Sequence, residues 1–109
     1  MDLKDQRAET EAAFAEMAAD PAMPARACLA FAFVPADEAA DWDALTEAAE
    51  AEGYEVEWVE AGEEGEAMLE IATAEIALTL DALWTEEERL TLMAAVHGFE
   101  ADGWAVFAD

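Results

Sequence analysis

Residues 54–74 read YEVEWVEAGEEGEAMLEIATA, and this stretch decides the fold. Its first part alternates, so Tyr54, Val56 and Trp58 face one way while the glutamates between them face water. The glycine-containing turn at 61–65 is too short for a crossover, so the strand after it should pair with the first as an antiparallel hairpin. The middle of the chain is therefore predicted to be a β-hairpin with one polar face.

A strand and a helix are predicted before the hairpin. Residues 28–34 alternate large and small apolar side chains, which predicts a buried strand that Pro35 ends. Asp37 is the predicted N-cap of a helix that runs to about Glu52, and Gly53 is placed to end it in the left-handed conformation. This helix carries its apolar side chains on one side: Trp42, Leu45, Ala48 and Ala49.

A strand and a helix also follow the turn. The strand covers about 67–74, and the stretch 76–83 is compatible with strand, loop or early helix. Thr85 and Glu88 match a capping box, so a helix is expected from there until Gly98 ends it. Its predicted packing residues are Leu90, Met93, Val96 and His97.

The chain begins and ends with one further element each. Helix-forming residues at 5–19 predict a peripheral helix with a thin apolar stripe, formed by Ala8, Ala12, Phe14 and Met17, and a final strand is expected over about 99–107. The resulting fold class is α+β, a ferredoxin-like two-layer sandwich with βαββαβ order, an antiparallel sheet and an additional N-terminal helix. We divide the chain into a helix and linker at 1–23 and the sandwich domain at 24–109.

The charge of the chain is extreme, because 28 acidic residues against 4 lysines and arginines give a formal net charge of -24. Nucleic acids and anionic membranes bind clusters of basic residues, so direct contact with either is not expected. A surface of one sign can steer association with a basic protein partner, and it can equally serve solubility in a salty cytoplasm. No apolar run approaches the roughly 18 residues of a membrane span, and the first residues do not resemble a secretory signal, so we expect a cytoplasmic protein.

The residues identify no catalytic centre. The chain has no serine or asparagine, and its one cysteine, Cys28, lies in a predicted core strand. Its one histidine, His97, falls at a helix C-terminus, where an imidazolium ion is favourable. Asp41-x-Asp43 begins like a calcium loop, but the sixth position holds no glycine. We therefore expect no enzyme, no cofactor and no metal.

The most distinctive run is HGFEADGW at 97–104. It resembles the end of the RraB family, the bacterial protein regulators of ribonuclease E, whose members close with His-Gly-Gly and then Tyr-Asp-Gly-Trp. The similarity extends upstream to Pro-Ala-Arg at 24–26, Phe-Val-Pro at 33–35 and Glu-Gly-Tyr-Glu-Val at 52–56, and it covers roughly 24–107. Phe and Ala replace the family's second glycine and its tyrosine, whereas the final Asp-Gly-Trp is intact.

The resemblance implies a ferredoxin-like fold and an inhibitory contact with a ribonuclease E-type enzyme. The acidity of the chain favours a basic segment of that enzyme as the partner. Physically, Asp-Gly-Trp suits a turn or bulge entering a strand, while an exposed tryptophan beside acids would suit a binding hot spot. Trp42, Trp58 and Trp84 compete for that second role, and Trp84 is the least clearly assigned to the core. The candidate interaction or motif residues are His97, Gly98, Asp102, Gly103, Trp104 and Trp84.

Three functions from different classes stay open at this point. The first is the acidic regulator that binds a protein partner. The second is a small-molecule sensor, or an enzyme of another kind, with a pocket between helices and sheet. The third is a nucleic-acid mimic, whose acids would have to be spaced like phosphates.

Overall fold

The structure, a computed structural model, describes residues 3–62 and 67–107. Three helices and five strands follow one another in the order α1 (Leu3–Ala18), β1 (Arg26–Pro35), α2 (Trp42–Ala51), β2 (Glu55–Val59), β3 (Met68–Ala72), β4 (Ile76–Ala77), α3 (Leu80–Val96) and β5 (Phe99–Phe107). The predicted α+β class is confirmed. No helix within the described part of the chain is long and apolar enough to cross a membrane.

The five strands form one antiparallel sheet with β1 at its centre. β3 pairs with one edge of β1 and β5 with the other, and β2 pairs with β3 as the predicted hairpin. The turn of that hairpin lies partly outside the described residues, at 63–66. After β3, Thr73 exchanges bonds with Leu29, its amide donating to the carbonyl at 2.8 Å, and the short β4 then pairs with the first residues of β1. β4 thus pairs with the same edge of β1 as β3 does, after the break in the ladder that follows β3.

One face of this sheet and the helices above it enclose the core. Leu29, Phe31 and Phe33 of β1 are fully buried, as their alternation predicts. They meet fully buried apolar side chains from β3, α2 and α3: Leu69, Ile71, Leu45, Leu83 and Leu90. Each such side chain contributes about 1.5–3 kcal/mol by leaving water, so this face is the main source of stability.

The helix α2 begins later than predicted. Its N-cap is Asp41, whose carboxylate accepts from the Ala44 amide at 3.0 Å, and not Asp37. Asp37 instead accepts from the Ala39 amide in the loop before the helix. The loop remains non-helical because its backbone amides donate hydrogen bonds to carbonyls at the end of α3. Local capping rules do not include such a long-range contact.

The helix α3 begins earlier than predicted. Thr79 is its N-cap and accepts from the Ala82 amide at 3.1 Å, whereas Thr85 lies inside the helix and donates to the Asp81 carbonyl. The earlier start buries Leu83 at the core, which a helix from 85 onward would not do. The open stretch at 76–83 therefore divides into β4 and the first turn of α3.

Two helix faces also differ from the prediction. Val96 is 79% exposed at the end of α3 and does not face the core. On α1, Ala8 and Ala12 are exposed, and the buried residues are the polar Gln6 and Thr10. Phe14 and Met17 do pack against the core at the end of this helix. The predicted stripe was wrong in its first half because hydrogen bonding, described below, orients the helix.

Candidate functional site

The predicted motif residues His97 and Gly98 form a corner at the end of α3. His97 is the C-cap, and its carbonyl accepts from the Asp41 amide at 2.9 Å. The Gly98 carbonyl accepts from the Ala36 amide at 2.8 Å. Gly98 has φ 84, and a Cβ there would lie 2.9 Å from the Cα of Ala40. The corner is therefore a backbone joint between α3 and the loop before α2, and only glycine fits it without strain.

The side chain of His97 is half-buried and forms no hydrogen bond or ion pair with any residue at 3–62 or 67–107. Within those same ranges, no three histidine, cysteine or acidic side chains are grouped as metal ligands would be. The role that the structure shows for His97 is thus the backbone one, as the C-cap of α3.

The second half of the motif contains the predicted bulge. The pairing of β1 with β5 shifts between Ala32 opposite Gly103 and Phe33 opposite Ala101, so Asp102 is the extra residue. Gly103 has φ 141, which suits glycine, and Asp102 is exposed. Trp104 lies opposite Phe31 and packs, half-buried, against the core. The bulge therefore anchors the tryptophan and turns the aspartate outward.

The bulge borders a cleft of about 410 Å³ between α1, α3 and β5. Its floor is Glu87 of α3, which is only 5% exposed and accepts from Gln6 Nε2 at 2.7 Å and from Thr10 Oγ1 at 2.6 Å. Gln6 Nε2 also donates to Thr91 at 3.0 Å, while Gln6 Oε1 is buried with no partner in the described part of the chain. Glu9 and Asp102 add two acids at the rim. The cleft therefore sets these acids beside apolar surface from Ala13, Ala101 and Trp104.

Trp84 lies in the interface between α1 and α3, and its exposed fraction is 7%. The guanidinium of Arg7 on α1 lies over its ring at 5.8 Å from the centroid. Trp84 is therefore buried, although it lies outside the apolar core cluster, and it offers no exposed ring for a binding hot spot. Its burial follows from the early start of α3, which carries it beneath α1.

Trp58 is the exposed tryptophan. It lies on the same face of β2 as Val56, as predicted, but this strand is at the edge of the sheet and the ring is 51% exposed. Its ring contacts that of Trp42 on α2 in a tilted arrangement, with the centroids 5.5 Å apart, and its Nε1 donates to Thr46 Oγ1 at 2.8 Å. Trp42 in turn packs edge-on against Phe99, with the centroids 5.1 Å apart. We call Trp42 and Trp58, with Val59 and Ala67 beside them, the tryptophan patch; with Glu60 they line a cavity of about 350 Å³.

The outer face of β2 is acidic. Glu55 and Glu57 are exposed, and Glu57 lies directly opposite Glu70 of β3, a like-charge pair that is unfavourable by itself. With Glu50, these acids line a groove of about 630 Å³. Three ion pairs between described side chains involve other acids, namely Glu11, Glu52 and Glu75. Sequence reasoning missed this site because alternation gives the two faces of a strand but not its position in the sheet.

Tyr54 marks the other end of this groove. It lies immediately before β2, and its hydroxyl donates to Glu86 of α3. Burial, the hydrogen bond to Glu86 and the charge of that carboxylate raise the pKa of Tyr54 to about 12. Arg89 lies over the tyrosine ring and pairs with Glu52. This polar contact holds the start of β2 to α3.

The fold and these surfaces define a small, acidic α+β domain that presents an ordered aromatic patch beside exposed carboxylates. The model of the family described as "RraB: Regulator of ribonuclease activity B" matches residues 7–106, nearly the whole chain. The chain therefore belongs to the RraB family, and the family implies regulation of ribonuclease activity. No curated protein matches the sequence. The match begins within α1 and ends within β5, so it includes the corner, the bulge and the tryptophan patch.

Proposed function

We propose that this protein binds a ribonuclease E-type enzyme and lowers its activity towards transcripts, by protein–protein contact and without chemistry of its own. The observation that carries the proposal is the family match over 7–106. The charge supports the mode of action, since a chain with a formal net charge of -24 is repelled by the RNA substrate and attracted to a basic segment of the enzyme. The action belongs in the cytoplasm, where transcripts are turned over.

The proposed fold of the regulator is the ferredoxin-like sandwich at 24–109, with 1–23 as an added helix and linker. The pairing order β2, β3, β1, β5, antiparallel throughout, supports this topology, with β4 as a short continuation of β3. All helices then lie over one face, and the acidic edge at β2 stays accessible. The buried contacts of Gln6 and Thr10 with Glu87 support the placement of α1 against this unit.

The proposal is tested with the purified chain and the purified ribonuclease E-type enzyme from the same cells. Cleavage of a labelled transcript should slow as the chain is added, and direct binding should weaken steeply as salt rises, because exposed charges are screened beyond about 8 Å at physiological ionic strength. Polyglutamate of equal charge is the control for unspecific competition. Unchanged cleavage, or an effect that polyglutamate reproduces, would refute the proposal.

A second candidate function is a small-molecule sensor, favoured by the cleft between α1, α3 and β5 with its buried Gln6 and Glu87. A ligand that fills this cleft should raise the melting temperature, since binding to the folded state alone stabilises it. A Glu87→Gln variant should lose that rise if the ligand is cationic. A screen of small cations and amines that leaves the melting temperature constant would remove this candidate.

A further inference from the structure

The two edges of the sheet differ in how well they could accept another strand. β5 forms one edge, and the bulge at Asp102–Gly103 interrupts its register. β2 forms the other edge and pairs with β3 without any shift from Glu55 to Val59. A regular edge presents its free backbone groups in a row and is a template for an added strand, whereas a bulge hinders such pairing. β2 is therefore the better edge.

The two faces of β2 require different side chains from an added strand. Glu55 and Glu57 point away from the helices, where Glu70 adds a third negative charge. Val56 and Trp58 point towards the helix layer. Since side chains alternate along a strand, the matching sequence would be basic at one residue and apolar at the next.

The tryptophan patch is organised before any partner arrives. Trp58 is held by its tilted ring contact with Trp42 and by the hydrogen bond to Thr46, so binding would cost little side-chain entropy. An exposed tryptophan that is fixed in this way fits an interface hot spot, where a few aromatic side chains carry most of the binding energy.

We infer that β2 is the docking edge for the enzyme: an extended segment of the ribonuclease, with basic and apolar residues in alternation, adds to the sheet beside Glu55–Val59. Its apolar side chains contact the tryptophan patch and its basic ones pair with Glu55 and Glu57. This inference rests on the proposed function. Charge complementarity favours such a segment over a second copy of this chain, because two copies of β2 would bring the same glutamates together.

The first test compares matched variants of the full chain in binding to the ribonuclease E-type enzyme. Trp58→Ala should weaken binding about tenfold or more, while Phe107→Ala, at 55% exposure on the opposite edge, should change it less than about twofold. The double variant E55K/E57K should weaken binding more than E16K/E88K, which makes the same charge change on exposed helix positions. Circular dichroism establishes that each variant is folded. Equal effects within either pair would overturn the inference.

The second test identifies strand addition itself. Amide hydrogen exchange at 55–59 should slow in the complex, because free edge amides gain hydrogen bonds. In a second experiment, a synthetic peptide of alternating Lys and Val replaces the enzyme. Its control is a peptide of the same composition in which all the lysines precede all the valines. The alternating peptide should slow exchange at β2 and the block peptide should not.

These probes separate failure of the inference from failure of the proposed function. If the enzyme binds but β2 exchanges as before, the docking edge is wrong and the proposed function stands. If the enzyme does not bind while the alternating peptide protects β2, the proposed function is wrong and the edge remains a site for basic extended segments. If neither protects β2, or if protection appears only as the chain self-associates, the inference is overturned.

Discussion

The helices of this protein are attached to the rest of the molecule in two different ways. α2 and α3 cover the sheet through a continuous apolar core that includes Leu45, Leu83 and Leu90. α1 is attached to α3 through a polar centre, in which Gln6 and Thr10 donate to the buried Glu87. Burial of apolar surface thus holds α2 and α3, whereas the junction of α1 adds buried hydrogen bonds to the apolar contacts of Phe14, Met17 and Trp84.

The difference indicates which part of the molecule provides most of the stability and which helix can separate from the rest. Apolar burial contributes in proportion to area and does not depend on direction, so the core tolerates small shifts. A buried carboxylate stabilises only while its donors are in place, because an unpaired charge is costly to keep from water. We therefore expect α1 to be the first element to separate, with the sheet and the other helices intact.

The largest effect is expected on the apolar side of the comparison. Phe31→Ala removes a fully buried ring from the central strand and should lower the free energy of unfolding by about 3–5 kcal/mol. Urea unfolding followed by tryptophan fluorescence measures this. Phe107→Ala, an exposed ring on β5, is the control and should stay within about 0.5 kcal/mol. Similar losses of unfolding free energy in the two variants would mean that the apolar core is not the main source of stability.

The next effect concerns the joint that fixes α3 to the loop before α2. Gly98→Ala introduces a Cβ 2.9 Å from Ala40 Cα at a positive φ, so it should lower the free energy of unfolding by about 2–3 kcal/mol. Gly53→Ala has a similar φ of 93 but meets nothing within 4 Å, and should cost only about 1 kcal/mol. Thermal unfolding compares the two. A larger loss of unfolding free energy in Gly53→Ala than in Gly98→Ala would show that backbone strain, and not the close approach to Ala40, determines the cost of an added Cβ.

A smaller effect is expected at the polar junction. Glu87→Ala leaves the donors of Gln6 and Thr10 without their acceptor and should cost about 1–3 kcal/mol, with faster amide exchange in α1 before global unfolding. Glu88→Ala, an exposed neighbour, should change neither quantity measurably.

The same junction offers a sharper test. Replacing all three polar residues together, as Gln6→Leu, Thr10→Val and Glu87→Leu, should restore stability to about that of the native chain, because apolar groups of similar shape need no hydrogen bonds. Urea unfolding of the triple variant, compared with Glu87→Ala, decides this. A triple variant less stable than the single one would show that the polar network stabilises the junction beyond satisfying its own members.

The smallest effect is a dependence on pH at the contact between β2 and α3. The pKa of Tyr54 is raised from 10.0 to about 12 in the folded state, so its contribution to stability is complete below pH 10 and is lost as pH rises towards 12. Tyr54→Phe removes the titrating hydroxyl and should flatten the decline between these values. A pH titration of the unfolding free energy tests both proteins, and an equally steep decline in the variant would exclude Tyr54 as its source.

Much of the fold follows from local patterns in the sequence. Alternation predicts β1, β2 and β3, and the residues Asp-Gly-Trp indicate a turn or a bulge, of which the structure has the bulge at Asp102–Gly103. The prolines after α1, with Gly53 and Gly98, predict where the helices stop, whereas the predicted starts of α2 and α3 are wrong. These features depend on neighbours within a few residues of one another, which is why one sequence suffices to find them.

The positions that sequence reasoning missed depend on contacts between distant residues. Asp41 caps α2, and not Asp37, because the loop between them bonds to the end of α3. Gln6 and Thr10 are buried because Glu87 lies opposite them, more than 70 positions along the chain. No local pattern identifies an acceptor at that separation.

The sequence by itself therefore determined the class of the fold, the order of its strands and helices apart from β4, the acidity, and the family. Only the tertiary structure decided which tryptophan is exposed and which is buried. Trp58 is exposed because pairing makes β2 the edge of the sheet, and Trp84 is buried because α1 packs over it. Burial of an aromatic ring depends on what the rest of the chain places next to it, and periodicity along the strand or helix does not contain that information.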